Sequence, residues 1–554
     1  MWMNAAVDIG RATLYRIGMP TLDWIGKKAV LNHHRQVPYH LLRCDEKLSV
    51  GDPGSGNLLV QGDNLLALKA LLPYYAGQVK CIYIDPPYNT GNENWVYNDA
   101  VNSPEMRKWL GKVVGGEAED LSRHDKWLCM MYPRLALLKE FLREDGAIFV
   151  SIDDNEVGHL RMVMNDVFGA RNFVCSFIWE KKHTRANDAR FVSDNHDFLL
   201  LYARSIEKLC LRRLPRTEKT NARFDNPDGD SRGPWISQPL QVKTPQQAYI
   251  YEIVTPGGRR VSPPPGRSWA FGKDRYAQLV GENRIYFGPD GSNVPRLKKF
   301  LDEVGELVPV TIWPRDEVGD NQEAKTELKR ILSSDRLSFD NPKPVRLLTR
   351  VLQLATDSDS LMLDSFCGSG TTGHAVLGIN KIDGGRRRFI MVEMEPDIAC
   401  DIASVRLRKV IEGYAYKTGD KETVVRGIGG GFRYCTLGQH LFDETGNIRP
   451  EVEFADLAAH VYFTETGEPI PKRANGKTPL IGQCKGTAYY LLFNGILGDK
   501  RPDGGNVLTG KVLEKLPPHH GPKVVYGEGC RLGAARLKRE NIVFKQVPYE
   551  IKVS

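Results

Sequence analysis

Residues 79–91 read VKCIYIDPPYNTG, and this stretch decides the fold of the chain. Its first six residues, Val79 to Ile84, are mostly apolar and rich in β-branched side chains, a composition typical of a buried strand. Two prolines then end the strand, because proline has no backbone N–H to donate to a sheet. The pattern therefore predicts that Asp85 and Tyr88 lie at the carboxyl edge of a sheet, where open α/β folds bind their ligands.

The four residues after this strand, Asp85-Pro86-Pro87-Tyr88, resemble the catalytic motif of the amino-group DNA methyltransferases. These enzymes methylate N6 of adenine or N4 of cytosine. An exocyclic amine is a poor nucleophile until acceptors hold its N–H groups and draw its lone pair out of the ring plane. The resemblance implies that Asp85 and a neighbouring backbone carbonyl are those acceptors. It also implies that Tyr88 stacks on a base rotated out of the duplex.

A second strand that runs into a loop is found at residues 361–372, LMLDSFCGSGTT. Small residues let the backbone approach a ligand there, and a helix is expected to begin near Thr371. The F-x-G-x-G string resembles the S-adenosylmethionine loop of the same enzymes. A phosphate loop would need a Gly-Lys-Ser/Thr sequence, which does not follow here. The resemblance implies that the cofactor contacts are Asp364, Phe366, Cys367, Gly368, Ser369, Gly370 and Thr371.

Three further segments supply candidate cofactor residues by the same resemblance. A turn at Asp63 and Asn64 follows a short strand and begins a helix. The family has such a carboxylate beside the cofactor adenine, whereas capping of the helix is its ordinary role. Lys343, in a Pro-Lys-Pro sequence before a helix, is a candidate for contact with the methionine carboxylate of the cofactor. Glu393, at the end of the strand RFIMVE, is a candidate for the ribose hydroxyls.

The catalytic motif precedes a long intervening segment, and the cofactor motif follows it. This order resembles the β class of amino-methyltransferases and, within it, the modification (Mod) subunits of type III restriction-modification systems. The resemblance covers nearly the whole chain. It implies an α/β fold, a Rossmann-like class I methyltransferase with a mostly parallel, doubly wound sheet, an inserted target-recognition domain and a C-terminal α/β domain. Because both motifs end strands at the same edge, we predict that Asp85 and Gly368 lie close together.

The sequence predicts five segments. We expect a catalytic half with a loop near residues 89–99 that closes over the site, and a recognition segment rich in proline and glycine. In that segment basic residues stand beside aromatic ones, as in Arg223-Phe224 and Arg267-Ser268-Trp269, a texture that suits contacts with phosphates and base edges. An insertion with a purely structural task would have the same texture. The expected segments are an N-terminal leader (1–50), the catalytic half (51–204), the target-recognition domain (205–335), the S-adenosylmethionine-binding half (336–425) and the C-terminal domain (426–554).

The composition sets further limits. The chain has 554 residues, of which 41% are hydrophobic, enough for more than one domain. No apolar run approaches the roughly 18 residues that span a bilayer, so we expect a soluble, intracellular protein that is not associated with membranes. The resemblance implies a cytoplasmic, prokaryotic protein associated with the nucleoid. The ten cysteines show no C-x-x-C pair and no Cys/His ligand spacing. We therefore expect neither a metal site nor a disulfide framework, and we interpret the cysteines as small core residues.

The net charge is +8, and much of the surplus lies between Lys181 and Arg260, which hold 15 basic and 9 acidic residues. This surplus fits a face that binds a polyanion, and a solvated loop would give the same count. Two acidic residues after a later strand, Asp153 and Asp154, are expected to cap the helix that follows. The stretch from Lys126 to Arg143 has the apolar spacing of a packing helix.

The resemblance implies a site-specific DNA methyltransferase, acting either as a modification enzyme or as an orphan epigenetic enzyme. It transfers a methyl group from S-adenosyl-L-methionine to N6 of a flipped adenine in double-stranded DNA, without a metal. The string DPPYNTG favours adenine, although methylation of cytosine N4 uses the same chemistry. A catalytically silent DNA-binding subunit of a restriction complex is the alternative from another class. The resemblance also implies a homodimer and, in complete systems, a restriction subunit as partner.

Overall fold

A computed structural model describes residues 22–90, 104–116, 121–185, 190–333, 339–498, 505–548 and 551. Most of the expected closing loop, residues 91–99, lies outside these ranges. Within them, no helix combines the length and the apolar character that crossing a membrane requires. The chain forms two compact units, one from residues up to Arg212 together with those from Val310 onward, and the other from Arg213–Pro309.

The strands of the described chain are β1 (His40–Gly51), β2 (Leu58–Gln61), β3 (Val79–Ile84), β4 (Leu142–Ile152), β5 (Phe173–Glu180), β6 (His196–Ala203), β7 (Trp235–Pro239), β8 (Gln241–Val242), β9 (Ile253–Val254), β10 (Arg260–Val261), β11 (Ser268–Trp269), β12 (Ile285–Tyr286), β13 (Arg296–Phe300), β14 (Ile312–Trp313), β15 (Leu361–Asp364), β16 (Arg388–Glu393), β17 (Gly413–Thr418), β18 (Lys421–Arg426), β19 (Gly431–His440), β20 (Leu480–Cys484), β21 (Thr487–Leu491), β22 (Val507–Leu508), β23 (Lys523–Gly527), β24 (Gly529–Cys530) and β25 (Ile542–Gln546).

The α-helices of the described chain are α1 (Lys27–Val30), α2 (His33–Gln36), α3 (Asn64–Tyr75), α4 (Pro104–Val114), α5 (Arg123–Phe141), α6 (Val157–Phe168), α7 (Glu218–Asn221), α8 (Lys273–Gly281), α9 (Arg315–Val318), α10 (Asn321–Leu332), α11 (Val345–Ala355), α12 (Thr371–Asp383), α13 (Val405–Glu412), α14 (Phe454–Thr466), α15 (Gly510–Lys515) and α16 (Ala534–Arg539). A π-helical segment, Ile398–Ser404, leads directly into α13.

The central sheet of the larger unit has the order β1-β19-β2-β16-β15-β3-β4-β6-β5-β14. The pairs from β19 through β4 are all parallel, and antiparallel pairs lie toward the two edges. Every residue of β3 is buried, which explains its nearly continuous apolar sequence. The predicted α/β fold with a mostly parallel sheet is confirmed.

Helices cover both faces of this sheet. Side chains alternate between the two faces along a strand, so a strand that is buried throughout needs a packing partner on each side. Ile82 and Ile84 of β3 face a core that includes α3, α5 and α6. Tyr83 points to the opposite face, where it lines a cleft together with Leu348 of α11. The sheet is therefore doubly wound, as the sequence predicted.

Two expected boundaries fall inside the larger unit. Strand β1 overlaps the expected leader and is an edge strand of the central sheet. Strand β19 lies between β1 and β2, so the chain beyond residue 426 returns to the central sheet before it forms a four-stranded sheet of its own. That smaller sheet has the order β20-β21-β23-β25, and its last two pairs are parallel.

A disulfide joins Cys44 and Cys435. The two cysteines are directly opposite each other on the antiparallel strands β1 and β19, 391 residues apart in the chain. The expectation of small core cysteines without a disulfide is wrong for this pair. The disulfide forms because the register of β1 and β19 places the two cysteines opposite each other, and the spacing of cysteines along the sequence does not reveal strand register.

The unit Arg213–Pro309 is narrower than the expected segment 205–335. It contains a three-stranded antiparallel sheet, β12-β13-β7, and two short strand pairs. One aromatic residue beside these basic residues belongs to the core of the unit: Trp269 is buried and donates its indole N–H to the carbonyl oxygen of Tyr251 at 2.8 Å. Arg267, two residues earlier, is exposed. At this position the basic side chain therefore faces solvent while its aromatic neighbour packs inward.

Candidate active site

The two sequence motifs meet at one edge of the central sheet. Strands β3 and β15 are parallel neighbours, with Ile82 opposite Leu363, so the loops that follow them leave the sheet side by side. One cleft is lined by residues of both loops, including Asp85 and Gly368, and by Lys343 from the segment before α11. The structure thus brings Asp85 and Gly368 together, as the strand pattern predicted.

Asp85 presents one occupied and one free carboxylate oxygen. Its Oδ2 atom accepts a hydrogen bond from the Lys343 ammonium group at 2.5 Å. Its Oδ1 atom is buried and has no hydrogen-bond partner in the described chain. A buried acceptor without a partner is costly in a folded protein, so such an atom at a sheet edge marks a place where a ligand donor fits. The side chain as a whole is 18% exposed, which leaves it reachable from the cleft.

Tyr88 is held by an ionic network on the strands beyond β4. Its hydroxyl group donates to Oδ2 of Asp197 at 3.4 Å, and Asp197 is paired with Lys181 at 2.7 Å. Lys181 also contacts Asp194 at 2.7 Å. Burial, with the charges of Asp197 and Asp85, raises the pKa of Tyr88 well above its usual range, so the phenol stays neutral. The sequence offered no individual role for Lys181 or Asp197.

The backbone after Asp85 is fixed by two side chains. Trp127 of α5 donates its indole N–H to the carbonyl oxygen of Pro87 at 2.6 Å. Asn89 is buried with a φ of 57°, and its amide donates to Glu156 at 2.5 Å. The prediction of a packing helix is confirmed for α5, and the buried Trp127 has a second role that was not predicted, the hydrogen bond to Pro87. An apolar helix pattern predicts burial, and it does not reveal which carbonyl an indole reaches.

The glycine-rich loop turns sharply between β15 and α12. Gly368 and Gly370 have positive φ values, 50° and 77°, which side chains disfavour. The N–H of Gly368 donates to Oε2 of Glu393 at 2.8 Å. A Cβ atom on Gly370 would lie 3.4 Å from the backbone of Ala403, an ordinary contact, so the conformation and not the space demands glycine.

Buried polar groups brace this loop from below. Asp364 accepts from the N–H of Phe366 at 3.1 Å and from the hydroxyl of Thr372 at 2.5 Å. Burial raises the pKa of Asp364 to about 7, and the charges of Asp85 and Glu393 act in the same direction. Burial likewise raises the pKa of the Cys367 thiol well above its usual range, so it is not a nucleophile.

Arg406 is a loop contact that the sequence did not indicate. Its side chain is fully buried and donates to the hydroxyl groups of Ser369 at 3.0 Å and Thr371 at 2.8 Å. A further contact, at 3.4 Å, joins it to Glu327 of α10. An arginine thirty-five residues after the loop carries no local signal of this role, because only the packing of α13 beneath the loop brings it there.

Lys343 was expected at the cofactor carboxylate, and in the structure its Nζ atom pairs with Asp85. The same atom lies 5.1 Å above the ring of Tyr88, within cation–π range. Its backbone carbonyl accepts from the hydroxyl of Thr371 at 3.1 Å. Lys343 therefore links the acidic residue of the first motif to the glycine-rich loop of the second.

Asp63, Asn64 and Glu393 serve local structure. The carboxylate of Asp63 caps α3 by accepting from the N–H of Leu65 at 2.8 Å, and it is paired with Arg134 at 3.2 Å. Asn64 donates to the carbonyl of Ser365 at 3.1 Å, so it supports the loop after β15. Glu393 accepts from Gly368, as above. None of the three is among the side chains that line the cleft.

The helix caps after β4 differ from the prediction. Asp153 accepts from the backbone N–H and the side-chain amide of Asn155, at 2.9 and 2.7 Å. The residue that precedes α6 is Glu156, whose side chain makes no capping hydrogen bond. Its carboxylate faces His124 and His159 instead, at 2.6 and 2.8 Å.

Comparison with known proteins places this site in a family. A family model described as DNA methylase matches residues 79–404. The Mod subunit of the type III restriction-modification enzyme StyLTI from Salmonella typhimurium is 35% identical over 388 residues, which cover 68% of this chain and 58% of that protein. The EcoPI Mod subunit of Escherichia phage P1 is 32% identical, over 68% of this chain and 63% of its own length.

A third relative is a type II enzyme. The methyltransferase M.KpnI from Klebsiella pneumoniae is 28% identical over 63% of this chain and 82% of its own length. Of the two Mod subunits, in contrast, the chain spans only about six tenths of the length. Because the family model covers more than half of the 554 residues and includes both loops of the cleft, the chain belongs to the DNA methylase family.

Proposed function

We propose that this chain is a DNA methyltransferase that methylates N6 of an adenine rotated out of double-stranded DNA, with S-adenosyl-L-methionine as methyl donor. The observation that carries the proposal is the free, buried Oδ1 atom of Asp85, which shares a cleft with the glycine-rich loop. Membership of the DNA methylase family and the names of the Mod relatives support it.

Asp85 has the geometry of an acceptor for an exocyclic amine. Its Oδ1 atom accepts one N–H of the amine, and the carbonyl of Pro86 accepts the other. These two bonds pull the nitrogen lone pair out of the base plane, toward the electrophile. Lys343 holds the second carboxylate oxygen, so Oδ1 is already oriented before the base arrives.

Tyr88 provides the surface on which the rotated base stacks. The hydrogen bond from its hydroxyl group to Asp197 fixes the ring, and the ring stays half-buried beside the cleft. Stacking on an aromatic face repays part of the cost of removing a base from the duplex. A neutral phenol suits this role, because a phenolate would repel the nearby carboxylates.

The residues of the glycine-rich loop fit the methyl donor. Lys343, Phe366 and Gly368 line the cleft, so a cation, an aromatic ring and a glycine without a side chain border one space. When bound there, S-adenosylmethionine supplies a methyl group on a positively charged sulfur. Asp364 and Glu393 hold the loop in shape, and we propose that Asn64 and Glu393 act on the cofactor through their contacts with this loop. For Asp63 we propose a direct contact with the cofactor.

The unit Arg213–Pro309 is proposed to recognise the target site. Its exposed arginines, Arg223, Arg259, Arg260 and Arg267, suit contacts with phosphates and guanine edges. The names of the Mod relatives support the proposal that the chain is the modification partner of a restriction subunit. From the sequence resemblance alone we also propose that it acts in the cytoplasm of a prokaryote and as a homodimer.

Methyl transfer tests this function directly. We expect purified protein to move labelled methyl from S-adenosylmethionine to double-stranded DNA, and nucleoside analysis to detect N6-methyladenine. The variant Asp85→Ala should abolish transfer, and circular dichroism should show that it still folds, although the loss of the pair with Lys343 destabilises it. Asp154→Ala, which removes an exposed carboxylate after the neighbouring strand β4, is the matched control and should transfer normally. N4-methylcytosine as product would overturn the choice of base, and transfer by Asp85→Ala would overturn the mechanism.

A further inference from the structure

A cluster of three side chains lies beside the loop that carries Tyr88 and outside the cleft. His124 is in the first turn of α5, Glu156 immediately precedes α6, and His159 is in the first turn of α6. One potential ligand atom of each residue lies within 4.8 Å of those of the other two. The sequence predicted no metal site, because His124 lies on another helix, 32 residues before Glu156, and the sequence alone does not show that the two helices bring these side chains together.

The geometry of the cluster converges on a buried carboxylate. The side chain of Glu156 is 0% exposed, and its two oxygens lie 2.6 Å from Nδ1 of His124 and 2.8 Å from Nδ1 of His159. The imidazole side chains are 37% and 36% exposed, and the ring centroids are 4.7 Å apart. An ion can therefore reach the site from solvent, while the carboxylate that would bind it is shielded.

We propose that His124, Glu156 and His159 bind a divalent transition-metal ion, with Zn²⁺ as the best match. Two imidazoles and one carboxylate form a donor set that zinc prefers, and a water completes the tetrahedron. Bonds of about 2.0–2.2 Å to a tetrahedral ion would separate the ligand atoms by about 3.3–3.6 Å. The contacts of Glu156 with the two imidazoles, at 2.6 and 2.8 Å, have to lengthen by about 0.5–1 Å, and all three ligand atoms already lie within 4.8 Å of one another. Rotation of the partly exposed histidine side chains supplies a movement of this size.

The ion would act on the loop through Glu156. The Oε1 atom of Glu156 also accepts from the side-chain amide of Asn89 at 2.5 Å, and Asn89 follows Tyr88 directly. An ion that fixes this carboxylate therefore fixes the backbone beside Tyr88. The site goes beyond the proposed methyl transfer, because it holds none of the reacting atoms and the transfer does not require it. In this proposal His124, Glu156 and His159 are metal ligands and have no part in the transfer itself.

Metal titration of the full-length protein tests the proposal. After treatment with a chelator and its removal, we expect one Zn²⁺ ion per chain by calorimetry. Co²⁺ in its place should give the visible absorption of a tetrahedral site without thiolate bands. His124→Gln, His159→Gln and Glu156→Gln should each weaken binding at least tenfold. The matched control is His183→Gln, since His183 also stands three residues after a glutamate that it contacts, at 3.4 Å, and is well exposed. This control should bind as the wild type does.

Thermal unfolding gives a second measurement that does not depend on activity. Zn²⁺ should raise the Tm of the wild type and of His183→Gln, and should raise that of the three site variants less at the same Zn²⁺ concentration, because the stabilisation follows the affinity of the folded protein for the ion. Should one site variant fail to fold by circular dichroism, the other two decide. Equal affinity in wild type and site variants, an adventitious ion only, or thiolate bands in the Co²⁺ spectrum would each overturn the proposal. Methyl transfer measured without added metal neither supports nor contradicts the zinc site, because the transfer does not require the ion.

Discussion

Asp85 and Lys343 are 258 residues apart in the chain, and the structure joins their Oδ2 and Nζ atoms at 2.5 Å. Both side chains are largely buried, so neither charge is well solvated. The pair leaves one oxygen of Asp85 free at the edge of the sheet. An arrangement of this kind orients an acceptor in advance, which is the part of catalysis that a protein contributes when the electrophile comes from a cofactor.

Lys343→Ala should lower kcat/KM for methyl transfer on the order of 10²-fold, because Asp85 loses the contact that orients it. Breaking a buried pair should also destabilise the fold, by about 3–5 kcal/mol. Steady-state kinetics and urea unfolding measure the two effects. Lys325→Ala is the control, since the pair of Lys325 with Asp340 is exposed and should matter little to either. Unchanged kinetics in Lys343→Ala would contradict the orienting role.

Trp127→Phe should reduce methyl transfer more than its loss of stability explains. The change removes the indole N–H that holds the carbonyl of Pro87, and a buried carbonyl without a donor costs about 1–3 kcal/mol. Trp313→Phe is a matched control, because Trp313 is equally buried and its indole donates to the carbonyl of Val310 at 2.9 Å. Both variants should lose similar stability in urea, and only Trp127→Phe should lose substantial activity.

Tyr88→Ala should weaken capture of the rotated base by roughly 10- to 100-fold, in line with about 1–3 kcal/mol for one stacked base. Tyr88→Phe should lose less, because it keeps the ring and gives up only the hydrogen bond to Asp197. Fluorescence of 2-aminopurine at the target position, which rises when the base leaves the stack, reports the captured state. A Tyr88→Ala variant with wild-type fluorescence would show that the ring does not stack on the base.

Gly370→Ala should weaken S-adenosylmethionine binding. Gly370 begins α12 with a φ of 77°, and an alanine there costs about 1–2 kcal/mol of strain unless the loop shifts. The other end of the same helix supplies the control: Gly384 has a φ of 70° and open space around its Cβ position. Gly384→Ala should lose similar stability with normal cofactor affinity by calorimetry. Equal affinity in the two variants would contradict a role of the loop in binding.

Asp364 should make the protein less stable as pH rises from about 4 to 7. Its pKa is raised to about 7 in the folded state from an ordinary value near 4, so the folded chain holds a proton that the unfolded chain releases. The stability that this proton contributes is complete below the pKa of the unfolded chain. It is lost as pH rises through the pKa of the folded chain, by up to about 1.4 kcal/mol per pH unit. Asp364→Asn removes this dependence.

Urea unfolding at several pH values checks the difference between wild type and Asp364→Asn. Between pH 4 and 7 the free energy of unfolding of the variant should rise relative to that of the wild type. Above pH 7 the difference between the two should stay constant. A constant gap across the whole range would mean that Asp364 titrates at the same pH in both states.

Several parts of the fold and site follow from local chemistry. Consecutive prolines have no N–H for a ladder, so the end of β3 and the location of Asp85 at the sheet edge are fixed by the tetrapeptide itself. Gly368 and Gly370 predict a tight turn because few other residues adopt a positive φ. Asp63 before an apolar helix predicts its cap, which the structure contains.

Other parts depend on which segments the fold brings together. The contacts of Lys343 with Asp85, of Trp127 with Pro87 and of Arg406 with the glycine-rich loop all join residues that are far apart in sequence. The disulfide between Cys44 and Cys435 likewise exists because β19 returns to pair with β1. Strand order and register decide these contacts, and neither is encoded in the composition of a single segment.

The sequence by itself therefore determined the strand ends, the turn residues and the family, because each depends on backbone chemistry within a few residues. Only the tertiary structure decided which oxygen of Asp85 stays free and which side chains hold the loops, because a hydrogen bond depends on distances between atoms that the sheet order sets.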